Sequence, residues 1–466
     1  MTIIPTAVLL LAFSPIAIPD DSAKKPPITV PDAVRDGIET ASTPTTKLDP
    51  RIDASKITEL PAPEVPDQVL LPSPPVHRIA TDRGQTRLDD ATWTTATEST
   101  RRGLAWLARN QSRNGGWMEG EVVVPTDQPP REAAAAVAVT GLGLKAFAQA
   151  PNLADGSEAR DQALRFVRRA LESHGFDGLA AAGLGNYVAS SIAMGLAANG
   201  STSDPGDAGT LGDAVSFLRN NQWDETEGVS TRQDWFGGAG YGNRGRPDLS
   251  NTQMMLDALY DAGVSPDEPV VQKALVFLSR TQNLKATNPA AWAQAGSDDG
   301  GFVYTPANDG ESFGSAAAGE GRYGETMPAG VARSLRSYGS MTYAGFKSLL
   351  FAGLGPDDPR VQAALGWIRD HWTLSENPGV GQQGVFYYLH AMARALRASG
   401  LDEIVDEDGA RHDWRTEMIA ELVRRQRSDG RWFNDADRWE ESRPELATIY
   451  ACLALEEALK PRIDME

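Results

Sequence analysis

The sequence predicts an all-α fold built from six helical hairpins, and three observations lead to this prediction. The segment 102–117 recurs in weaker copies along the chain, which marks a repeat architecture. Each copy is apolar at helical spacing and is followed, after a glycine-rich loop, by a second apolar helix, which is the pattern of an αα-hairpin. Several of the second helices run into a glycine, the residue that most easily closes a helix in the left-handed conformation.

The repeat can be followed from hairpin to hairpin. In the first helices an aromatic residue precedes an aliphatic one, at Trp106-Leu107, Phe166-Val167, Phe217-Leu218, Phe277-Leu278 and Trp367-Ile368, and a sixth, more degraded copy contains Leu422. A glutamine follows the aliphatic residue by four positions at Gln111, Gln222, Gln282 and Gln426. The pattern predicts second helices at 133–150, 184–199, 249–262, 338–352, 384–399 and 445–459, with closing glycines at Gly200, Gly263, Gly353 and Gly400.

Two linkers, 264–269 and 354–359, are near copies of each other. Asp357 and Asp358 in the second linker look like a carboxylate pair for acid–base chemistry. Because acidic residues stand at the same place in the first linker, we interpret both as helix-start residues, which the positive N-terminal end of a helix favours.

The first 90 residues differ from the repeats. Residues 1–18 contain a short apolar run that resembles the hydrophobic region of a secretory signal, although no basic residue precedes it. We therefore predict an extracytoplasmic protein, secreted or periplasmic, with a cytoplasmic location as the alternative. Residues 19–90 are rich in proline and lack apolar periodicity, so we predict a disordered linker there and a folded domain over 91–466.

Charge and cysteine content limit the function classes. The formal net charge of −19 disfavours binding to nucleic acid, because phosphate recognition needs a basic surface. The single cysteine, Cys452, has no partner for an internal disulfide and lies on the apolar face of the last predicted helix. It is predicted to be a core residue.

The segment 102–117 has Arg, Gly, Trp, Leu, Gln, Gly and Trp at the spacing of the QW repeat found in squalene–hopene and oxidosqualene cyclases. Residues 273–282 match the front half of that repeat and residues 426–432 match the back half. Over about 93–460 the chain therefore resembles the terpenoid cyclase and protein prenyltransferase superfamily. The resemblance implies an (α/α)6 toroid with the first helix of each hairpin outside and the second inside. It also implies that the QW glutamines and tryptophans join neighbouring hairpins.

The resemblance does not extend to the acid that starts cyclisation in the hopene-type enzymes. Their Asp-x-Asp-Asp motif corresponds here to a stretch that begins with Asp248 but has Ser250 and Asn251 in place of the other two carboxylates. A serine hydroxyl cannot protonate an isolated alkene, so Ser250 and Asn251 are better interpreted as helix-capping residues. Asp298 and Asp299 are the best substitutes for the acid, with an Asp-Gly turn as their alternative interpretation.

The prenyltransferase branch implies a zinc ion held by Asp, Cys and His. Only His390 among the five histidines falls on a predicted inner helix, and Cys452 lies on another inner helix without a third ligand. We therefore predict no metal site and no cofactor.

A toroid would gather the start of every inner helix at one mouth, beneath the long loops 223–248 and 284–337. Helix N-termini favour an anionic ligand, and those loops carry Arg232, Arg244, Arg246, Arg322, Arg333 and Arg336, whose alternative role is pairing with surface carboxylates. The predicted catalytic residues are Asp248, Asp298 and Asp299. The predicted ligand-binding residues are Trp235, Phe236, Tyr241, Asn251, Gln253, Phe302, Tyr304, Tyr343, Gln383, Tyr387 and His390.

Three functions remain open from the sequence. The first is a cyclase-like protein that binds or transforms an isoprenoid-type molecule, hydrophobic or anionic, with association to a membrane surface left open. The second is an exported, non-catalytic binding or scaffold toroid. The third is a glycan-processing (α/α)6 enzyme, which needs two opposed carboxylates, and Asp234 or Asp248 with Asp298 or Asp299 is the pairing that the sequence offers.

Overall fold

A computed structural model describes residues 59–60, 75–118, 131–150, 152, 157–200, 204–242, 245–307 and 335–462. Six helices form the first members of the hairpins: α1 Asp90–Arg109, α3 Ser157–Leu179, α5 Pro205–Asn220, α7 Pro269–Thr281, α10 Pro359–Asp370 and α12 Trp414–Arg425. Six more form the second members: α2 Arg131–Gln149, α4 Gly185–Asn199, α6 Leu249–Asp261, α9 Gly339–Phe351, α11 Val385–Ala398 and α13 Pro444–Leu459. A short helix, α8 Ala291–Ala295, and a two-stranded antiparallel sheet, β1 Glu403–Val405 with β2 Arg411–Asp413, lie in the connections.

The second helices form a closed ring. Each packs against the next in chain order, and α13 packs against both α11 and α2, so the last hairpin meets the first. Helix α1 closes the outer layer by packing against α12 and α13. The second helices are buried over nearly their whole length, as expected for the inner layer of two concentric helical layers. The predicted all-α toroid is confirmed, and the inner-helix bounds lie within one or two residues of the predicted ones.

The four repeated glutamines join successive outer helices. Each donates from its side-chain amide to the carbonyl of a glycine in its own loop and to a carbonyl of the next outer helix, at 2.8–2.9 Å. These pairs of acceptors are Gly115 and Ala159 for Gln111, Gly237 and Val270 for Gln222, Gly300 and Arg360 for Gln282, and Gly430 and Ser99 for Gln426. The bond from Gln426 to Ser99 in α1 fastens the last hairpin to the first.

Tryptophan and threonine side chains clamp the same loops from both sides. The indole of Trp117 donates to the carbonyl of Leu107 in the outer helix, while its backbone N–H donates to the Thr140 hydroxyl on the inner helix. Trp432 makes the equivalent bonds to Leu422 and Thr448. Thr252 and Thr342 accept backbone N–H groups in two further hairpins. This threonine is therefore a second repeated element of the fold.

Glycine is required where the loop turns beneath the glutamine. Gly237 has a φ of 81°, and a Cβ there would lie 1.8 Å from the carbonyl oxygen of Lys273. The left-handed conformation and the close approach of the backbone together exclude a side chain at this position. The predicted closing glycines Gly200, Gly263, Gly353 and Gly400 all have positive φ, which confirms their role.

Part of the predicted linker packs against the ring. We expected residues 19–90 to be disordered, but Leu60 and Leu88 are buried, and the backbone N–H groups of Ile79 and Ala80 donate to Gln149 and Leu459 at the ends of two inner helices. Sparse apolar residues suffice here because the helix ends offer free carbonyl groups. The predicted signal, 1–18, lies outside the described residues.

Candidate ligand-binding site

Charged side chains fill the centre of the ring near the C-terminal ends of the inner helices. We call them the ionic core: Lys145, Asp257, Asp261, Lys347, Arg394 and Glu457. They come from five inner helices and are almost completely buried. Asp261 accepts from Lys145 and Arg394 at 2.7 Å each, and Asp257 accepts from Lys347 at 2.7 Å. Burial alone would raise the pKa of Asp261, but Arg394 and Lys145 outweigh burial and lower it. The core is therefore a network joined by short ion pairs.

This leaves the starts of the inner helices as the candidate place for the predicted central cavity. Side chains of the ionic core occupy the space between the ends of the inner helices, and residues 75–80 cover these ends. His77 lies close enough for Asp261 and Lys145 to affect its pKa, which burial lowers overall. The ionic core and residues 75–80 therefore occupy the end of the ring at which the inner helices finish.

Five tyrosines meet at the opposite end, near the starts of the inner helices. We call them the tyrosine chamber: Tyr187, Tyr241, Tyr304, Tyr387 and Tyr450. Tyr187, Tyr387 and Tyr450 lie on α4, α11 and α13, while Tyr241 and Tyr304 lie on outer-to-inner loops. Ring centroids are 5.4 Å apart for Tyr187 and Tyr241 and 5.7 Å apart for Tyr387 and Tyr450.

Four of these rings keep accessible surface although they are strongly desolvated. Tyr187, Tyr241, Tyr304 and Tyr387 are only half-buried, yet loss of hydration raises the pKa of all four hydroxyls, and for Tyr187 and Tyr304 well above the ordinary value. A group that keeps accessible surface but is strongly desolvated faces a confined volume rather than bulk water. The chamber is therefore the candidate place for a small-molecule ligand in the ring centre.

A chain of hydrogen bonds connects the chamber with the ionic core. The Tyr187 hydroxyl lies 2.6 Å from the Ser250 hydroxyl, which lies 3.3 Å from the Tyr387 hydroxyl. Gln253 donates to Tyr387 at 2.9 Å and accepts from Lys347 at 2.7 Å. The predicted residues Gln253 and Tyr387 are thus placed together by two inner helices, α6 and α11.

Asp248 stands behind the chamber wall as the cap of α6. Its carboxylate accepts the backbone N–H of Asn251 at 2.8 Å and the Asn251 side-chain amide at 2.9 Å. Burial raises the pKa of Asp248 to about 6, against the lowering effect of Asn251 and of a hydrogen bond with Tyr304. Asp248 is 0% exposed, so it would act on a ligand through Tyr304 rather than by direct contact.

Asp298 and Asp299 lie on an exposed turn. Asp298 accepts the backbone N–H of Lys285 at 2.8 Å, and Asp299 accepts from Gly301 and from the Ser337 hydroxyl at 2.9 and 2.8 Å. These contacts belong to the Asp-Gly turn that was their alternative interpretation. Because Asp248 is sealed and these two are exposed, the structure does not bring the three predicted acids together.

The remaining predicted residues divide between chamber and packing roles. Asn251 helps to cap α6 and accepts from Asn186, Gln383 is half-buried, and His390 stacks on Tyr450 at 5.7 Å between ring centroids. Trp235 and Phe236 instead pack in a separate cluster with Trp223, and Phe302 and Tyr343 are buried in the main core. Asp234 is buried and close enough to Arg280 to affect its pKa. The arginines Arg244, Arg322 and Arg333 lie outside the described residues.

Sequence reasoning missed a second carboxyl group with a raised pKa. Burial raises the pKa of Glu441 to about 7. Glu441 accepts the backbone N–H of Tyr387 at 2.8 Å and the Asn434 amide at 2.8 Å, so it caps α11 from the neighbouring hairpin. Asn377 caps α9 in the same way, by accepting the N–H of Ser340. The ionic core was missed too, although acidic residues at i and i+4 in an apolar helix, Asp257 and Asp261, were a signal for it.

Among the described residues, no group of three or more His, Cys, Asp or Glu side chains could hold a metal ion.

No protein-family model matches the chain, and no curated protein matches its sequence. Solved structures match at low identity. A variant of the type II terpene cyclase MstE from Scytonema, in complex with merosterolic acid A, is 12% identical with a TM-score of 0.47, over 80% of this chain and 99% of that one. An inactive variant of the alpha-1,6-mannanase GH76A from Salegentibacter sp. HEL1_6, in complex with alpha-1,6-mannotriose, is 12% identical with a TM-score of 0.47, over 78% and 98%. The helix packing described above, and not these low scores, establishes the fold.

Proposed function

We propose that the protein binds a small isoprenoid-type molecule in the tyrosine chamber and does not start alkene cyclisation. The observation that carries this proposal is the set of half-buried, desolvated tyrosine rings near the starts of the inner helices. Aromatic faces bury the apolar surface of a ligand well, and their hydroxyl groups supply the few polar contacts that orient it. The resemblance of the repeat to the QW segments of isoprenoid cyclases supports this ligand class.

The acid chemistry of the site supports binding over cyclisation. An alkene needs a strong acid in contact with it, but a carboxyl group whose pKa is raised to about 6 is a weaker acid than an ordinary aspartic acid. Asp248 is also sealed from the chamber, and Ser250 stands where a second carboxylate would be needed. We therefore assign Asp248 to the positioning of Tyr304 and of helix α6.

A glycan-processing role finds less support. It requires two carboxyl groups on opposite sides of a cleft, separated by roughly 5–9.5 Å. Asp248 and Glu441 are the buried carboxyl groups near the chamber, and both are engaged in capping helices. The scaffold alternative, and export through residues 1–18, remain predictions.

The decisive experiment compares ligand classes on the full chain. Native mass spectrometry of the purified protein is followed by titration with geranylgeraniol and, separately, with alpha-1,6-mannotriose. We expect saturable binding of geranylgeraniol and none of the trisaccharide. The opposite preference would move the proposal to the glycan class, and the absence of any ligand would favour the scaffold.

Two matched variants locate the site. Tyr387→Leu removes a half-buried ring from the chamber, whereas Tyr260→Leu removes a half-buried ring that stacks on Phe351 near the C-terminal end of α6. Losing half of an aromatic contact costs about 1.4 kcal/mol, or roughly tenfold in affinity. Tyr387→Leu should therefore bind geranylgeraniol about tenfold more weakly than the wild type, and Tyr260→Leu should match the wild type. Equal affinities for the two variants would place the ligand elsewhere.

A further inference from the structure

His390 lies where the tyrosine chamber ends and the ionic core begins. It follows Tyr387 by one turn of α11 and precedes Arg394 by another, so the three side chains share one face of the helix. The imidazole is 6% exposed and stacks on Tyr450, which is 9% exposed and belongs to the neighbouring inner helix α13. His390 and Tyr450 therefore form the floor of the chamber.

The polar atoms of this floor have no partner among the described residues. Neither ring nitrogen of His390 accepts or donates a hydrogen bond, and the Tyr450 hydroxyl also lacks one. Their neighbours differ in this respect, because one chain of hydrogen bonds links Tyr187, Ser250, Tyr387 and Gln253. A buried polar group without a partner costs about 1–3 kcal/mol. His390 Nε2 is such a buried group, and together with the unpartnered Tyr450 hydroxyl beside it, it indicates a place where a bound molecule completes the hydrogen bonds.

The charge state of the imidazole restricts what that molecule can be. Burial lowers the pKa of His390 well below its ordinary value, and the cations Lys145, Lys347 and Arg394 lower it further, against a smaller raising effect of Glu457. The ring is therefore neutral and has one N–H donor and one acceptor nitrogen. A phenol hydroxyl likewise both donates and accepts. The floor thus matches a group that does both, and it offers no positive charge of its own to an anion.

We propose that His390 and Tyr450 bind a hydroxyl group of the ligand, so that the ligand is an isoprenoid alcohol seated with its hydroxyl at the chamber floor. This inference rests on the proposed function and specifies its ligand. The apolar chain lies against the faces of Tyr187, Tyr241, Tyr304 and Tyr387, and the hydroxyl points towards the ionic core. The cations of that core already have carboxylate partners, so they do not draw a second anion into the chamber.

The test measures the contribution of the hydroxyl in the full-length protein. Geranylgeraniol, the hydrocarbon of the same chain without the hydroxyl, and geranylgeranoic acid are titrated against the wild type, His390→Phe and Tyr450→Phe. His371→Phe is the control, because His371 also stacks on an aromatic ring, that of Trp367, but at the end of the outer helix α10. A lost hydrogen bond of ordinary strength corresponds to roughly fivefold to tenfold in affinity.

We expect the wild type and His371→Phe to prefer the alcohol over both other probes. His390→Phe and Tyr450→Phe should each bind the alcohol roughly fivefold to tenfold more weakly while their affinity for the hydrocarbon stays within twofold. Thermal stability provides a second measurement, since replacing a buried group that lacks a partner should leave Tm unchanged or raise it. A strongly lowered Tm in both variants would mean that the two residues hold the fold and would overturn the assignment.

The outcomes separate the inference from the function on which it rests. Failure of the wild type to bind any of the three isoprenoid probes overturns the proposed function and this inference with it. Binding of the alcohol that is equal in the wild type and in both floor variants overturns the inference alone. Preference for the acid, lost in the floor variants, keeps the site but overturns the assignment to a hydroxyl.

Discussion

Replacing Asp261 with asparagine should destabilise the ring strongly, because it removes the shared partner of two buried cations. Asp261 lies 2.7 Å from both Lys145 and Arg394, and the three side chains are 5% exposed or less. Breaking a buried ion pair from one side costs about 3–5 kcal/mol, since the remaining charge stays desolvated. Asparagine has nearly the same shape, so the loss measures charge rather than packing. We expect a reduction of about 3–5 kcal/mol in the free energy of unfolding.

The control is an ion pair of similar length on the surface. Arg219 and Glu268 are 2.5 Å apart, but their side chains are 40% and 37% exposed, and such pairs contribute about 0–1 kcal/mol. Urea unfolding of Asp261→Asn and Glu268→Gln at neutral pH, analysed with a common slope, gives the two losses directly. Losses of equal size would refute the reasoning, because the environment would then not decide the strength of the pair.

Three further perturbations test the repeat and the helix caps. Gly237→Ala should cost about 2 kcal/mol or more in unfolding free energy, because φ is positive and the new Cβ meets a carbonyl, whereas Gly209→Ala in open space within α5 should stabilise by about 0.5–1 kcal/mol. Gln426→Ala should lower unfolding free energy by about 1–3 kcal/mol through the unpartnered carbonyls it leaves at the ring closure. The pKa of Glu441 is raised from 4.5 to about 7, so the folded state favours the protonated carboxyl group. This contribution to the free energy of unfolding is fully present below pH 4.5 and is lost as the pH rises through 7. Urea unfolding of the wild type and Glu441→Gln across pH 4–8 should show this loss, about 3 kcal/mol, in the wild type only; parallel curves would contradict it.

Much of the fold could be predicted because the same residue types recur at the helix junctions of successive hairpins. The glutamines that follow four of the outer helices and the glycines that follow four of the inner helices mark positions that only a few side chains can fill, so their spacing predicted the hairpin boundaries. The order of residues 75–90 could not be predicted in this way. Its contacts go to carbonyl groups at the ends of inner helices, and those acceptors exist only once the ring has formed.

The site could be predicted only in part, because aromatic residues from the same loop pack in different parts of the structure. Trp235 and Tyr241 are six positions apart, yet Trp235 packs against Trp223 and Tyr241 against Tyr187 in the chamber. Loop length and composition place both near the mouth, but the direction of each side chain depends on backbone turns such as that at Gly237. The same limit applies to Asp248 and Asp298, which look equivalent as carboxylates and differ entirely in burial.

The ionic core and the tyrosine chamber occupy opposite ends of the ring centre, and the inner-helix ends explain this division. Six helices converging around an axis leave a space that must be filled, covered or offered to a ligand, because an empty interior forfeits packing contacts. At the C-terminal end the lysines and arginines of the ionic core suit the negative ends of the helix dipoles and bring their own carboxylate partners. At the N-terminal end Asp248, Asn377 and Glu441 cap the starts of α6, α9 and α11 from the side, so these three helix starts are satisfied without a group on the axis. The tyrosine rings gather at this end of the axis, which is why the proposed ligand site lies at the starts of the inner helices and not at their ends.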